Sequence, residues 1–303
     1  MTIQAAPETA LAAAPGWISD LFDPIAIVSA GRLGWGFRNE VWRVELVDGQ
    51  RLAVTRFVDA RAAPGIVSRT RDLRPRLEAA GIPVPACSAA GETSPTILVT
   101  DYVDGAVGAA VLDEPGGPAL VGSLLGATWR RLAAVDPHRL GLDATWTRPA
   151  ELAVESEARL DRSSASLTRM EHRRLAKAIA TLPGLLAGRP EGFVHGDLAP
   201  VNILVRDRGL AALVDLEFAR LGDPLLDAGW FDLIMAFHHA ADQRAAWRAF
   251  ASASGMALDD PVSRDLLRLL PLVRILEILD DPVLTAEGRA HWLAFLRSGL
   301  AAA

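Results

Sequence analysis

The chain has 303 residues, half of them apolar, and a net charge of −6, so it can bury one substantial core or two smaller ones and is a poor match for a polyanion such as nucleic acid. Its single cysteine, Cys87, excludes an intrachain disulfide and a cysteine-ligated zinc site. No run of 18 apolar residues lacks a charge, since the most apolar segment, Leu266 to Leu279, contains Arg274 and Glu277; no membrane span is expected.

Residues 1–16 are Ala-rich and carry Glu8 but no Lys or Arg, so they lack the basic start of a secretory signal and read as a flexible terminus of a cytoplasmic protein. Short β-rich runs follow at Ile25 to Ser29, Val41 to Val47, Leu52 to Phe57 and Thr96 to Val99, with Asp48-Gly49 joining the second and third as a hairpin. Past residue 105 or so, helical stripes take over. Gly116-Gly117-Pro118 opens one through Leu120, Leu124, Leu125, Trp129 and Leu132, and a Thr168/Glu171 capping box opens another through Leu175, Ile179 and Leu182. Asp223-Pro224 reads as an N-cap with proline in the first turn, ahead of Leu226, Trp230, Leu233, Ile234 and Phe237. Trp129, Trp230 and Trp292 lie in apolar stripes and read as core, and His238-His239 as the solvent-facing end of a helix. The exception to helix is a hairpin, Asn202 to Val205 and Leu210 to Leu216, around Arg206-Asp207-Arg208-Gly209. The expected class is α+β, with a small antiparallel sheet lobe over 17–103 and a larger, mainly helical lobe over 104–303.

That hairpin concentrates the chemistry. Val194-His195-Gly196-Asp197 leads into it, Asn202 lies five residues after Asp197, and Asp215 and Glu217 follow the returning strand. Antiparallel pairing puts the entry and exit at one end, so three carboxylates and an amide are expected to converge. This all-oxygen set suits Mg²⁺ and calls for a phosphate ligand. On the two-residue strand period Asp215 and Glu217 share a face, which makes Glu217 a candidate for metal binding, directly or through water. Taken singly, His195, Asp197 and Asn202 could all be ordinary turn residues.

The series His195-Gly196-Asp197 … Asn202, then Asp215, then Gly222-Asp223-Pro224 … Asp227 resembles the aminoglycoside phosphotransferase family, which shares the protein-kinase-like fold with small-molecule kinases for choline, fructosamines and methylthioribose. The resemblance implies phosphoryl transfer from ATP, or GTP, to a hydroxyl of a small molecule. It implies Asp197 as catalytic base or hydroxyl-orienting residue, His195 bracing its loop, Asn202 and Asp215 on Mg²⁺, and Asp227 in a structural role. Gly31-Arg32-Leu33-Gly34-Trp35-Gly36 falls where the family covers the phosphates, with Gly34 and Gly36 as candidate contacts, although the spacing departs from the protein-kinase glycine pattern. Arg56 stands where kinases place a phosphate-binding lysine, with Asp72 as a candidate acidic partner, and Asp101, Tyr102 and Val103 stand at the adenine-binding hinge.

A cationic acceptor, such as an aminoglycoside or another antibiotic, is expected from acids on the later helices: Asp232, and Glu277 with Asp280 and Asp281, of which Glu277 and Asp280 would share a helical face. A metabolic kinase for choline or methylthioribose, a nucleotide-binding pseudoenzyme and a metal-dependent hydrolase built on His195 and Asp197 are the alternatives. A protein kinase is disfavoured, since Gly222-Asp223-Pro224 follows Asp215 too closely for an activation segment and no Ala-Pro-Glu occurs. The protein is expected to act as a monomer or homodimer.

Overall fold

A computed structural model describes residues 15–33, 39–59, 63–87, 96–137, 141–256 and 260–302. By packing the chain divides into two compact units: residues up to Pro115 with Val201–Glu217, and Gly116–Pro200 with Phe218 onward. The sequence reading divides it by position at 103/104, whereas the contacts gather the 201–217 hairpin with the N-terminal strands.

In the first unit a short helix α1 (Gly16–Ser19) precedes β1 (Ile27–Leu33), β2 (Glu40–Leu46), β3 (Arg51–Arg56), helix α2 (Ala63–Ala79) and β4 (Ile97–Asp101). The four strands pair antiparallel in chain order. Glu45 pairs with Arg51, Gly49 sits at φ 84° and its N–H bonds the Leu46 carbonyl at 2.9 Å, so the connection is a three-residue loop ending in a left-handed glycine. One sheet face buries Val44, Leu52, Val54 and Val99 with Ile18 of α1. α2 runs through Pro75 and stops at Gly81 (φ 74°), where Ile82 N–H bonds the Leu77 carbonyl and Gly81 N–H that of Glu78, a paired closure of the last turn. Beyond β5 (Ala106–Val107) and α3 (Gly108–Val111), the unit is completed by the later hairpin, which pairs β5 with its first strand.

The second unit is helical: α4 (Gly117–Ala133), α5 (Pro149–Arg162), α6 (Arg169–Ile179) and α7 (Leu182–Leu185), then strand β6 (Gly192–Val194). After the hairpin strands β7 (Ile203–Arg206) and β8 (Gly209–Leu213), it resumes with β9 (Arg220–Gly222), α8 (Leu225–His238), α9 (Gln243–Ser254), α10 (Pro261–Leu279) and α11 (Ala286–Ala302). The capping box on α6 forms in full, Thr168 accepting from Glu171 N–H and Glu171 from Thr168 N–H. α8 begins one residue later than the sequence suggests, so Pro224 and not Asp223 holds the cap position, while the Asp223 Oδ1 accepts Leu225 N–H at 2.9 Å just ahead of the helix. Glycines set the closest helix contacts: a Cβ on Gly122 or Gly126 of α4 would lie 2.1 or 2.3 Å from the Ala246 and Phe250 carbonyl oxygens of α9. No described helix is long and apolar enough to cross a membrane.

Candidate active site

β6 delivers the chain into the loop His195-Gly196-Asp197, and β9 pairs with β6 from Gly192↔Gly222 to Val194↔Arg220, which fixes where α8 starts. The first turn of α8 holds that loop. Asp227, fully buried, accepts the His195 N–H on Oδ2 and the Gly196 N–H on Oδ1, both at 2.8 Å. Burial pushes the Asp227 carboxyl up to about 7, although the two amide donors pull the other way. Gly196 sits at φ 79°, and a Cβ there would meet the Phe218 carbonyl oxygen at 2.3 Å, so this position requires glycine. The His195 ring, also buried, accepts the Asp197 N–H on Nδ1 at 3.3 Å. Asp197 itself is half-buried, and its Oδ1 accepts the indole N–H of Trp230 at 2.6 Å.

In the first unit β7 and β8 pair from Ile203↔Leu213 to Arg206↔Gly209, with Asp207 and Arg208 both at positive φ (51° and 60°) in the two-residue turn. At the opposite end the Asn202 carbonyl accepts Val214 N–H at 3.0 Å, which sets Asn202 beside the residue preceding Asp215. Asp215 has φ 64°, a left-handed conformation that costs a non-glycine residue about 1–2 kcal/mol. It ends the extended chain, and Leu216–Phe218 forms a 3-10 turn. The expectation that Asp215 and Glu217 share a strand face therefore fails, because β8 stops at Leu213 and the two-residue period stops with it. Glu217 Oε2 instead accepts from Asn39 Nδ2 at 3.0 Å. An Asn amide oxygen and an Asp carboxylate are hard donors that fit Mg²⁺. Among the described residues no three His, Cys, Asp or Glu side chains group to hold a metal.

The family model for APH, the phosphotransferase enzyme family, matches residues 29–272. The chain belongs to this family. As a member of that family it is a phosphotransferase. Its fold is similar to that in the GDP complex of wild-type aminoglycoside 2'-phosphotransferase-IIIa, with a TM-score of 0.73 at 17% identity over 94% of this chain and 96% of that one. A macrolide 2'-phosphotransferase type I (TM-score 0.65, 16% identity, covering 93% and 96%) and a putative fructosamine-3-kinase from Thermobifida fusca (0.59, 19%, 95% and 99%) share it. No curated protein sequence matches.

Gly34 and Gly36 lie outside the described residues, while Gly31 belongs to β1 rather than to a turn. Arg56, at the end of β3, pairs with Glu40 directly across from it on β2 and lies over the Trp17 ring at 4.9 Å. Asp72 is not its partner; that carboxylate accepts from Ser68 one turn earlier on α2. Burial opposes the charge on Glu40, but hydrogen bonds from Trp42 and Arg56 and the Arg56 charge outweigh it and hold its carboxyl below the usual value. The Asp101 and Tyr102 N–H groups are engaged by the Ala86 and Arg51 carbonyls at 2.8 and 2.9 Å, and the Tyr102 ring packs against the Arg43 and Arg51 guanidinium groups; Val103 follows, half-buried.

The acids on the later helices are separately engaged. Glu277 lies between two buried arginines, accepting from Arg220 at 2.8 Å and from Arg274 at 2.7 Å. Burial opposes its charge, but the two guanidinium groups outweigh it and hold its carboxyl down at about 2. Asp280 makes a bidentate pair with Arg162 at 2.6 and 2.7 Å. Asp232 accepts from Gln243, and Asp281 Oδ1 accepts Val283 N–H at 3.0 Å. The arginines that hydrogen-bond Glu277 are not the one that hydrogen-bonds Asp280, although the Arg159 charge acts on both. His238 ends α8 with an exposed side chain, as the sequence suggests, and its ring stacks on His291 with centroids 5.5 Å apart; partial burial, followed by the neighbouring His291 and His239, lowers it to about 4.

Proposed function

We propose that the chain transfers the γ-phosphoryl group of a nucleoside triphosphate, ATP ahead of GTP, to a hydroxyl of a small, antibiotic-like acceptor. The observation that carries the reading is the double grip of Asp227 on the His195 and Gly196 amides, which fixes the backbone that presents Asp197. A reaction with little covalent work for the protein depends on such positioning. In this reading Asp197 orients the acceptor hydroxyl and takes its proton as the new O–P bond forms and the bond to the leaving diphosphate breaks. Asn202 and Asp215 would hold Mg²⁺, with Glu217 contributing through water; bound there, the ion supplies positive charge against the phosphate oxygens. Arg56 adds a guanidinium that can grip phosphate in two places. With the Asp101 and Tyr102 amides engaged, an adenine edge would meet carbonyl oxygens of the 101–103 segment or Val103 N–H.

An aminoglycoside-like, cationic acceptor remains the first reading, with Asp232, Glu277, Asp280 and Asp281 as its candidate contacts. A second has specific support. The partners of Glu277 and Asp280 are arginines of the chain itself, which favours an acceptor with few ammonium groups, macrolide-like rather than polyamine-like.

The test is a coupled assay of nucleoside diphosphate release with Mg²⁺, offering ATP and GTP against aminoglycosides, macrolides, choline, methylthioribose and a fructosamine. Acceptor-dependent release that falls by orders of magnitude in Asp197→Ala, with nucleotide binding intact, is the expected result. Turnover that survives Asp197→Ala, or nucleotide binding lost with it, refutes the assignment.

A further inference from the structure

The geometry points to Trp230 as a positioning residue for Asp197: its indole N–H fixes the rotation of the reacting carboxylate. The inference rests on the role proposed for Asp197.

Trp230 Nε1 donates to Asp197 Oδ1 at 2.6 Å, short even for a hydrogen bond to a charged acceptor. A buried indole usually finds an acceptor, and a backbone carbonyl is sufficient: the Trp129 indole donates to the Pro224 carbonyl at 2.7 Å. Trp230 instead takes the side chain on which the proposed reaction turns. Its own ring is 1% exposed, stacked on Trp292 with centroids 5.8 Å apart and edge-on to Phe295 at 5.7 Å, both on α11. The N–H direction is therefore set by aromatic packing independently of Asp197. Trp230 also stands three residues after Asp227, on the same face of α8. From these two positions one helix grips residues 195 and 196 by their amides and residue 197 by its carboxylate.

Without the N–H, Asp197 keeps its backbone but loses a constraint on the edge it presents to the acceptor hydroxyl. Misorientation of this kind lowers turnover rather than binding.

The experiment replaces Trp230 with β-(3-benzothienyl)alanine, which keeps the ring and exchanges the N–H for sulfur, and in parallel with Phe. kcat is expected to fall by about tenfold or more, with acceptor and nucleotide KM within about twofold and an unchanged melting temperature in the isostere. Wild-type kcat in a folded isostere overturns the inference. In ¹⁵N-edited spectra the Trp230 indole proton, one of eight tryptophans, is expected far downfield and to move upfield in Asp197→Ala; an unmoved resonance also overturns it, whether or not the isostere folds. Asp197→Ala separates the failures. If it abolishes turnover while the isostere does not, only the role of Trp230 is wrong; if it retains turnover, the role of Asp197 fails and this inference with it.

Discussion

Replacing Glu277 with Gln removes one negative charge from between two arginines whose side chains are 6% and 3% exposed. Arg220 keeps its bond to the Phe218 carbonyl (3.0 Å) and its place over Trp146, and Arg274 keeps its bond to the Gly196 carbonyl (3.3 Å) and its place over Phe218. Two guanidinium groups would nonetheless remain together with no carboxylate between them. A carboxyl held at about 2 instead of its usual 4.5 stabilises the folded state at neutral pH by about 3 kcal/mol. Deleting one partner of a buried ion pair costs about 3–5 kcal/mol by mutational experience, which agrees. Urea denaturation at pH 7 should therefore show Glu277→Gln less stable by about 3 kcal/mol, with a melting point lower by roughly 5 °C. Because the folded value is depressed, the stabilisation is present above 4.5 and lost as pH falls toward 2; the deficit should shrink to about half by pH 3. A deficit under about 1 kcal/mol at pH 7, with a raised acceptor KM, would refute the structural reading and return Glu277 to the acceptor site.

Asp227 behaves in the opposite sense. Its folded value of about 7 lies above the usual 3.8, so the stability it contributes is full below 3.8 and is lost as pH rises toward 7. Asp227→Asn should flatten that slope in a pH series of chemical melts, and an unchanged slope would mean the group titrates normally. Arg56 is exposed and its bridge to Glu40 is only partly covered, so Arg56→Ala should change stability by less than about 1 kcal/mol. Its nucleotide KM should nevertheless rise on the order of tenfold; an unchanged KM would exclude a phosphate contact.

The parts legible in the sequence are those written in local patterns. The Asp48-Gly49 turn, the Thr168/Glu171 capping box, the His195-Gly196-Asp197 loop and the break before α8 each depend on residues a few positions apart. What escaped depends on register or tertiary packing. Glu40 becomes the partner of Arg56 because the loop that ends at Gly49 has three residues, and counting outward from it pairs the two. Glu277 looked exposed to solvent or substrate because nothing local announces that Arg220, 57 residues away, folds onto it. Asp215-Leu216-Glu217 read as strand because a left-handed Asp leaves no mark in hydrophobic alternation. Trp230 sat in an apolar stripe, where only its spacing from Asp227 hinted at a second duty.

Three contacts on the 195–197 loop come from α8 and α10: the Asp227 carboxylate, the Trp230 indole and the Arg274 guanidinium. Gly229 lies between Asp227 and Trp230, and a Cβ there would meet the Leu267 carbonyl oxygen of α10 at 2.1 Å. The closeness of the two helices, and with it the convergence of all three contacts, depends on the missing side chain. Gly126 provides the control, since its Cβ would meet the α9 backbone at 2.3 Å, on a helix pair that makes none of these contacts. Both alanine variants should cost about 1–3 kcal/mol through overpacking. At a temperature where both are folded, Gly229→Ala should lose at least about tenfold in kcat, because small displacements of a reacting group are costly, whereas Gly126→Ala should stay near wild type. Equal losses in the two variants would show that the loop answers to overall stability and not to the spacing of α8 and α10.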